Sequence, residues 1–137
     1  MSLLGITKGT EIETQIAHFA ELERQGAGMY QALARLANEQ GFDELAENLQ
    51  ALAADEIRHA GLYTVLNGDI KPDIFSILRF AAEAEIGGEE KIKAFAQKAR
   101  ELGLDKAAKE IEAAAIEEGR HGVILKELIK KYENKKD

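Results

Sequence analysis

The sequence predicts an all-α protein, a four-helix bundle made of two duplicated helical hairpins, and three observations carry that reading. Long Ala-, Leu-, Glu-, Lys- and Arg-rich stretches hold a single proline among 137 residues, a composition that favours helix. Apolar residues recur at three- and four-residue spacing, the pattern of an amphipathic helix. The second half of the chain also repeats the first.

The elements follow from their punctuation. Thr10 and Glu13 have capping-box spacing, which starts helix 1 there. Helix 1 runs to about Gln40, where Gly41 supplies a C-terminal stop. Asp43 is read as the N-cap of helix 2, which runs to about Leu66 before Asn67-Gly68 breaks the chain. Pro72-Asp73 restarts it, and helix 3 extends from about Asp73 to Leu102, ahead of Gly103. Asp105 caps helix 4, which continues to about Asn134 and frays into Lys135-Lys136-Asp137.

A shift of 62 residues lays 23–68 over 85–130 without a gap, with fifteen of the 46 positions identical. Composition alone explains matching Ala and Glu. It does not explain the joint recurrence of Gly41/Gly103, Asp43/Asp105, Glu56/Glu118, Arg58/Arg120 and His59/His121 in one register. The two hairpins are therefore read as a duplication within one domain spanning 1–137.

Composition also excludes function classes. The formal net charge of −7 argues against nucleic acid or an anionic membrane surface as partner. The chain has no cysteine, so disulfides, thiolate zinc sites, cysteine-ligated iron–sulfur centres and a cysteine nucleophile are ruled out within it. No stretch approaches the ~18 apolar residues of a membrane span. The first residues lack the long apolar stretch of a signal peptide, and a cytoplasmic location is expected.

The functional signal lies in the apolar seams. In helix 2 the seam Leu45, Leu49, Leu52 resumes at Tyr63 and Leu66, and the intervening positions are Glu56 and His59. In helix 4 the seam Ala107, Ile111, Ala114 resumes at Leu125 and Leu128, and the missing members are Glu118 and His121. Helix 1 places Glu23 between Ile16, Phe19, Ala20 and Tyr30, Leu33, Ala37. Helix 3 places Glu85 between Leu78, Ala81 and Ile92, Phe95, Ala99. A buried unpaired carboxylate costs several kcal/mol or is forced to take up a proton. No Lys or Arg occupies these seams beside the four glutamates. Two divalent cations would balance four carboxylates, and two imidazoles would complete the ligand set. Glu and His at i and i+3 share a helix face. Glu23/Glu56 and Glu85/Glu118 are each 33 residues apart about a glycine turn, which sets all four at one height in antiparallel hairpins. One Glu-x-x-His in a glutamate-rich helix is a weak signal and usually a solvated face. Two copies, each paired with a seam glutamate at the same distance upstream, match the carboxylate-bundle pattern of one Glu from each of two helices and Glu-x-x-His from the other two. His18 is off the Glu23 face and is read as a non-ligand.

The segments Glu23-Arg-Gln-Gly-Ala-Gly-Met-Tyr30, Asp55-Glu-Ile-Arg-His59, Glu85 and Glu117-Glu-Gly-Arg-His121 resemble the rubrerythrin branch of the ferritin-like superfamily, over about residues 10–132. The resemblance implies two iron ions, with manganese or zinc as other O/N-ligated metals. It implies Glu23 and Glu85 as terminal carboxylates, Glu56 and Glu118 as bridging carboxylates, and His59 and His121 as one imidazole per metal. Tyr30 would hydrogen-bond a ligand carboxylate, or serve simply as core. Asp55 and Glu117 would orient a histidine Nδ1 with Arg58 and Arg120 paired to the acids; exposed ion pairs are the other reading. The implied activity is reduction of hydrogen peroxide by a non-haem di-iron oxidoreductase, with electrons from a separate donor such as a rubredoxin-like protein. A ferroxidase or iron-handling role using dioxygen is an alternative, as is a non-catalytic metal protein.

Two departures stand out. Rubrerythrins carry an extra glutamate one turn after the helix 3 ligand, where this chain has Gly88 with Glu89 beside it; and the chain has no rubredoxin-like segment. Gly26, Gly28, Gly87 and Gly88 each cost about 1 kcal/mol relative to Ala in a helix interior. They could leave a cavity for peroxide or dioxygen, or serve close helix packing. In the family's fold, helix 3 starts a full helix length, ~35 Å, from the end of helix 2. The linker 67–73 reaches at most ~25 Å. That points to a domain-swapped homodimer, with an up-down-up-down bundle as the rival.

Overall fold

The computed structural model describes residues 1–135. It holds four helices, α1 Glu13–Glu39, α2 Asp43–Leu66, α3 Ile74–Glu101 and α4 Asp105–Glu133, and no strand among the described residues. The chain forms two compact units that meet at Lys71/Pro72. In the first, α1 packs on α2; in the second, α3 packs on α4.

The same turn closes each hairpin. Gly41 and Gly103 adopt φ of 80° and 75°, a left-handed conformation that is cheap only for glycine. The Phe42 N–H then donates to the Ala37 carbonyl at 2.8 Å, and the Leu104 N–H to the Ala99 carbonyl at 2.9 Å. These are the long-range bonds of a Schellman stop, which satisfies carbonyls the helix end leaves open. The duplication thus reaches down to individual backbone hydrogen bonds.

The helix starts depart from the sequence reading in three places. Thr10 does not cap α1: its hydroxyl donates to the Thr7 carbonyl at 2.6 Å, and α1 begins three residues later. The Glu13 carboxylate instead accepts from the Gly9 N–H at 2.6 Å. Asp43 and Asp105 lie in the first turns of their helices rather than at the cap positions, which Phe42 and Leu104 occupy without a side-chain bond. There their charge complements the helix dipole. Asp73 does cap α3, accepting from the Ser76 N–H at 3.2 Å. The N-terminal segment is tied to the end of α2 by buried Asn67, which accepts from the Thr7 hydroxyl at 2.5 Å and donates to the Glu13 carbonyl at 2.9 Å.

The rows buried between paired helices are small residues. Ala20, Ala27, Ala34 and Ala37 of α1 pack with Ala46, Ala53 and Ala60 of α2. Ala82, Ala96 and Ala99 of α3 pack with Ala108, Ala115, Gly119 and Gly122 of α4. The predicted Ala20, Ala37 and Ala99 are buried, but the seams of α2 and α4 shift by one position: Ala46 and Ala53 are buried, whereas Leu45 and Leu52 are 51% and 45% exposed. Helices approach closely where side chains are small, so alanine takes the hairpin interface. Among the larger seam residues Leu33, Leu45, Leu52, Phe95 and Leu128 are exposed, whereas Leu49 packs against the Ala34, Ala37 and Ala46 core and Tyr63, Leu66 and Ile92 are half-buried.

Gly103→Ala and Gly41→Ala should each destabilise the protein by about 1–2 kcal/mol, the cost of forcing a Cβ into the left-handed region. Urea unfolding midpoints measure it; unchanged midpoints would show that these turns do not need glycine.

Candidate metal centre

Within each hairpin the Glu-x-x-His motif and the partner helix's glutamate come together. Glu23, Glu56 and His59 each offer one ligand atom, and these atoms lie within 4.8 Å of one another. Glu85, Glu118 and His121 do the same in the second hairpin. All six residues named by the sequence are therefore grouped, three to a hairpin. The glutamates are half-buried and the histidines exposed. His18 joins neither group.

Packing explains the grouping. Glu23 and Glu85 lie on the same helices as the buried alanine rows, which hold α1 against α2 and α3 against α4 at close range. Glu56 rests across Gly26, where a Cβ would meet its Cδ at 3.7 Å, an ordinary contact. Gly28, Gly87 and Gly88 have nothing within 4 Å of an added Cβ among the described residues. The crowded glycines are instead Gly119 and Gly122, which the sequence reading did not single out. A Cβ at Gly122 would sit 2.4 Å from Ile86 Cγ1 and 3.1 Å from the Ala82 carbonyl oxygen.

The decisive electrostatic feature is a pair of stranded oxygens. Glu23 Oε2 and Glu85 Oε2 are shut off from solvent and have no hydrogen-bond partner among the described residues. Each points at its hairpin's imidazole: His59 Nδ1 lies 3.5 Å from Glu23 Oε2, and His121 Nδ1 lies 3.9 Å from Glu85 Oε2 and from Glu118 Oε2. These gaps are long for hydrogen bonds. They suit atoms that share a cation, since metal–oxygen and metal–nitrogen bonds of about 2.0–2.2 Å hold neighbouring ligands roughly 3 Å apart or more. The donor set of carboxylate oxygens and imidazole nitrogens fits a divalent first-row ion such as iron.

Glu85 shows the strain of the arrangement. The Glu118 carboxyl beside it shares a hydrogen bond that pushes the Glu85 pKa above the ordinary 4.5, burial and Glu118's like charge add to this, and His121 opposes it. Of the outlying residues, Arg58 pairs with Asp55 along α2. Both are exposed, as are Glu117 and Arg120. Tyr30 is half-buried. Phe19 and Tyr63, both seam residues, pack with ring centroids 5.7 Å apart and planes tilted by 47°.

Comparison with known proteins identifies the family. The Rubrerythrin family model matches residues 19–75. Reverse rubrerythrin-1 of Clostridium acetobutylicum is 31% identical over 133 residues, covering 94% of this chain and 73% of that protein. The chain belongs to the rubrerythrin family. It is thus an all-α protein of the ferritin-like class from a di-iron carboxylate family. An uncharacterized protein of Methanocaldococcus jannaschii is 34% identical over 129 residues, covering 94% of this chain and 92% of the relative. No solved structure matches. As a rubrerythrin-family chain without cysteine, it holds no cysteine-ligated iron within these residues. No described helix is long and apolar enough to cross a membrane.

The raised Glu85 pKa fixes a sign for the metal-free protein. A folded state that holds a proton the unfolded chain has released is stabilised below the ordinary carboxyl value. That stability is lost as pH rises through the raised value. Metal-free protein should therefore lose stability across that window, and Glu85→Gln, which stays neutral, should flatten the loss. Urea unfolding as a function of pH reads this directly; identical slopes for the two proteins would count against a raised Glu85 pKa.

Proposed function

We propose that Glu23, Glu56, His59, Glu85, Glu118 and His121 hold two iron ions, and that the protein reduces hydrogen peroxide to water with electrons from a separate donor. The observation that carries the reading is the stranded carboxylate oxygen facing an imidazole, found twice, once in each half of a duplicated chain. A pair of ferrous ions supplies two electrons and Lewis acidity. The protein's part is to hold that pair and to manage charge. Four carboxylates offset the four positive charges, so the reduced site is neutral apart from the neutral imidazoles. Glu118 raises the Glu85 pKa, so a cation held by this pair would compete with protons for it. Peroxide consumes two electrons and two protons as its O–O bond breaks and two waters form.

Asp55 and Arg58 support His59 from α2 in this account, with Glu117 and Arg120 in the matching places on α4. Tyr30, seven residues along α1 from Glu23, would donate a hydrogen bond to a ligand carboxylate. The site works in a homodimer in which the first hairpin of one chain packs with the second hairpin of another. The support is the seam itself. On the stripe that carries the ligands, Leu33, Leu45 and Leu52 of the first hairpin and Phe95 and Leu128 of the second are exposed, an apolar surface that a stable protein covers.

Stopped-flow oxidation of the ferrous protein tests the reaction. Hydrogen peroxide should oxidise it faster than dioxygen. Equal rates, or iron loading well above two ions per bundle, would favour iron handling instead. Light scattering tests the assembly: the account expects a mass near twice 15.1 kDa, and a monomer contradicts the swap.

A further inference from the structure

The two clusters are copies, yet their surroundings differ at one place. Under the 62-residue shift, Glu89 of α3 stands where α1 has Ala27, Lys93 where α1 has Gln31, and Gly119 of α4 where α2 has Ile57. In the first hairpin the small residue Ala27 is buried and the large one, Ile57, sits on α2. The second hairpin reverses the sizes and changes the chemistry. The Glu89 carboxylate lies directly on the α4 backbone at Gly119, where a Cβ would fall 2.0 Å from its Oε2 and 2.5 Å from its Cδ. Any residue but glycine would push it away.

This carboxylate is placed beside the second cluster. Glu85 and Glu89 are i and i+4 on one helix, so they share a face about one turn apart. Gly119 directly follows Glu118. The Glu89 side chain is only 28% exposed, and its Oε1 takes Lys93 Nζ at 2.8 Å from the turn beyond. Burial of this order weakens screening by solvent and salt. The contact also raises the Lys93 pKa, as expected if the pair is closely held.

We infer that Glu89, admitted by Gly119, makes the two metal positions unequal, so that Glu85/Glu118/His121 binds a divalent cation more tightly than Glu23/Glu56/His59. The inference rests on the reading that each cluster takes a cation. Glu89 is a positioning group for charge and need not touch the metal. Lys93 tempers it. The two side chains therefore act with opposite signs: loss of the carboxylate weakens the second position, and loss of the ammonium strengthens it. A structural role alone would make both changes harmful.

The test is Mn²⁺ binding to metal-free protein, followed by loss of the free-ion paramagnetic resonance signal. A His59→Ala background reads the second cluster, and a His121→Ala background reads the first. In the first background, Glu89→Gln should weaken binding about tenfold, the scale of one charge a helical turn away in a partly screened site. Lys93→Gln should tighten it. Gly119→Ala, which displaces the carboxylate without removing it, should act like Glu89→Gln. None should matter in the His121→Ala background. Glu89→Gln keeps the side chain's shape, and circular dichroism confirms its helix content. Bound Mn²⁺ with an affinity that ignores both Glu89→Gln and Lys93→Gln would overturn this inference while leaving the metal reading standing. No Mn²⁺ binding to the unmutated protein would overturn both.

Discussion

Two carboxylate oxygens, Glu23 Oε2 and Glu85 Oε2, are closed off from water and accept no hydrogen bond among the described residues. In a protein of this size such a placement calls for compensation, because an oxygen cut off from water loses the hydration that stabilises its charge. In the metal-free hairpin the neighbouring Glu118 raises the Glu85 pKa, so a proton is the compensation available there as pH falls. A bound cation would be the fuller remedy, since the two carboxylates and the facing imidazole of each cluster are grouped closely enough to share one. The alanine rows, the glycine turns and the matched heights of the motifs all serve to bring those groups together, and the composition elsewhere accommodates them.

Much of this was legible in the sequence because duplication acts as an internal control. Glu-x-x-His on a glutamate-rich helix is ambiguous once. Its recurrence at a fixed shift, with a seam glutamate 33 residues upstream each time, named all six residues that the structure gathers. Turn glycines were readable for a similar reason: Gly41 and Gly103 stand at equivalent places, and the left-handed backbone leaves little alternative. Asp73 was readable as the start of α3, with no competing partner nearby.

The remainder failed on identifiable physics. Periodicity ranks Leu above Ala, so the seams were drawn through Leu45 and Leu52, whereas the hairpin interface selects for small size and takes Ala46 and Ala53. Thr10 satisfies a capping pattern, but α1 starts at Glu13 with Ile12 at the cap position, and the Thr10 hydroxyl donates to the Thr7 carbonyl within the preceding turn. Gly119 and Glu89 were passed over because their importance depends on how near α3 comes to α4, a distance no single-helix pattern encodes. A signal was nonetheless available. Where two halves are copies, reversed sizes at an equivalent pair, Ala27/Ile57 against Glu89/Gly119, mark where the halves have been given different work.

The most direct test of cation compensation is thermal unfolding of the double variant Glu23→Gln/Glu85→Gln beside the unmodified protein, each with excess Mn²⁺ and with a chelator. If bound cations are what make these carboxylates tolerable, the unmodified protein gains stability with metal, by about 2.7 kcal/mol at a hundredfold excess over Kd. The neutral double variant should match or exceed the unmodified protein in chelator and gain little from the ion. A chelator that leaves the unmodified protein's melting temperature unchanged, together with a double variant less stable than its parent without metal, would contradict the account.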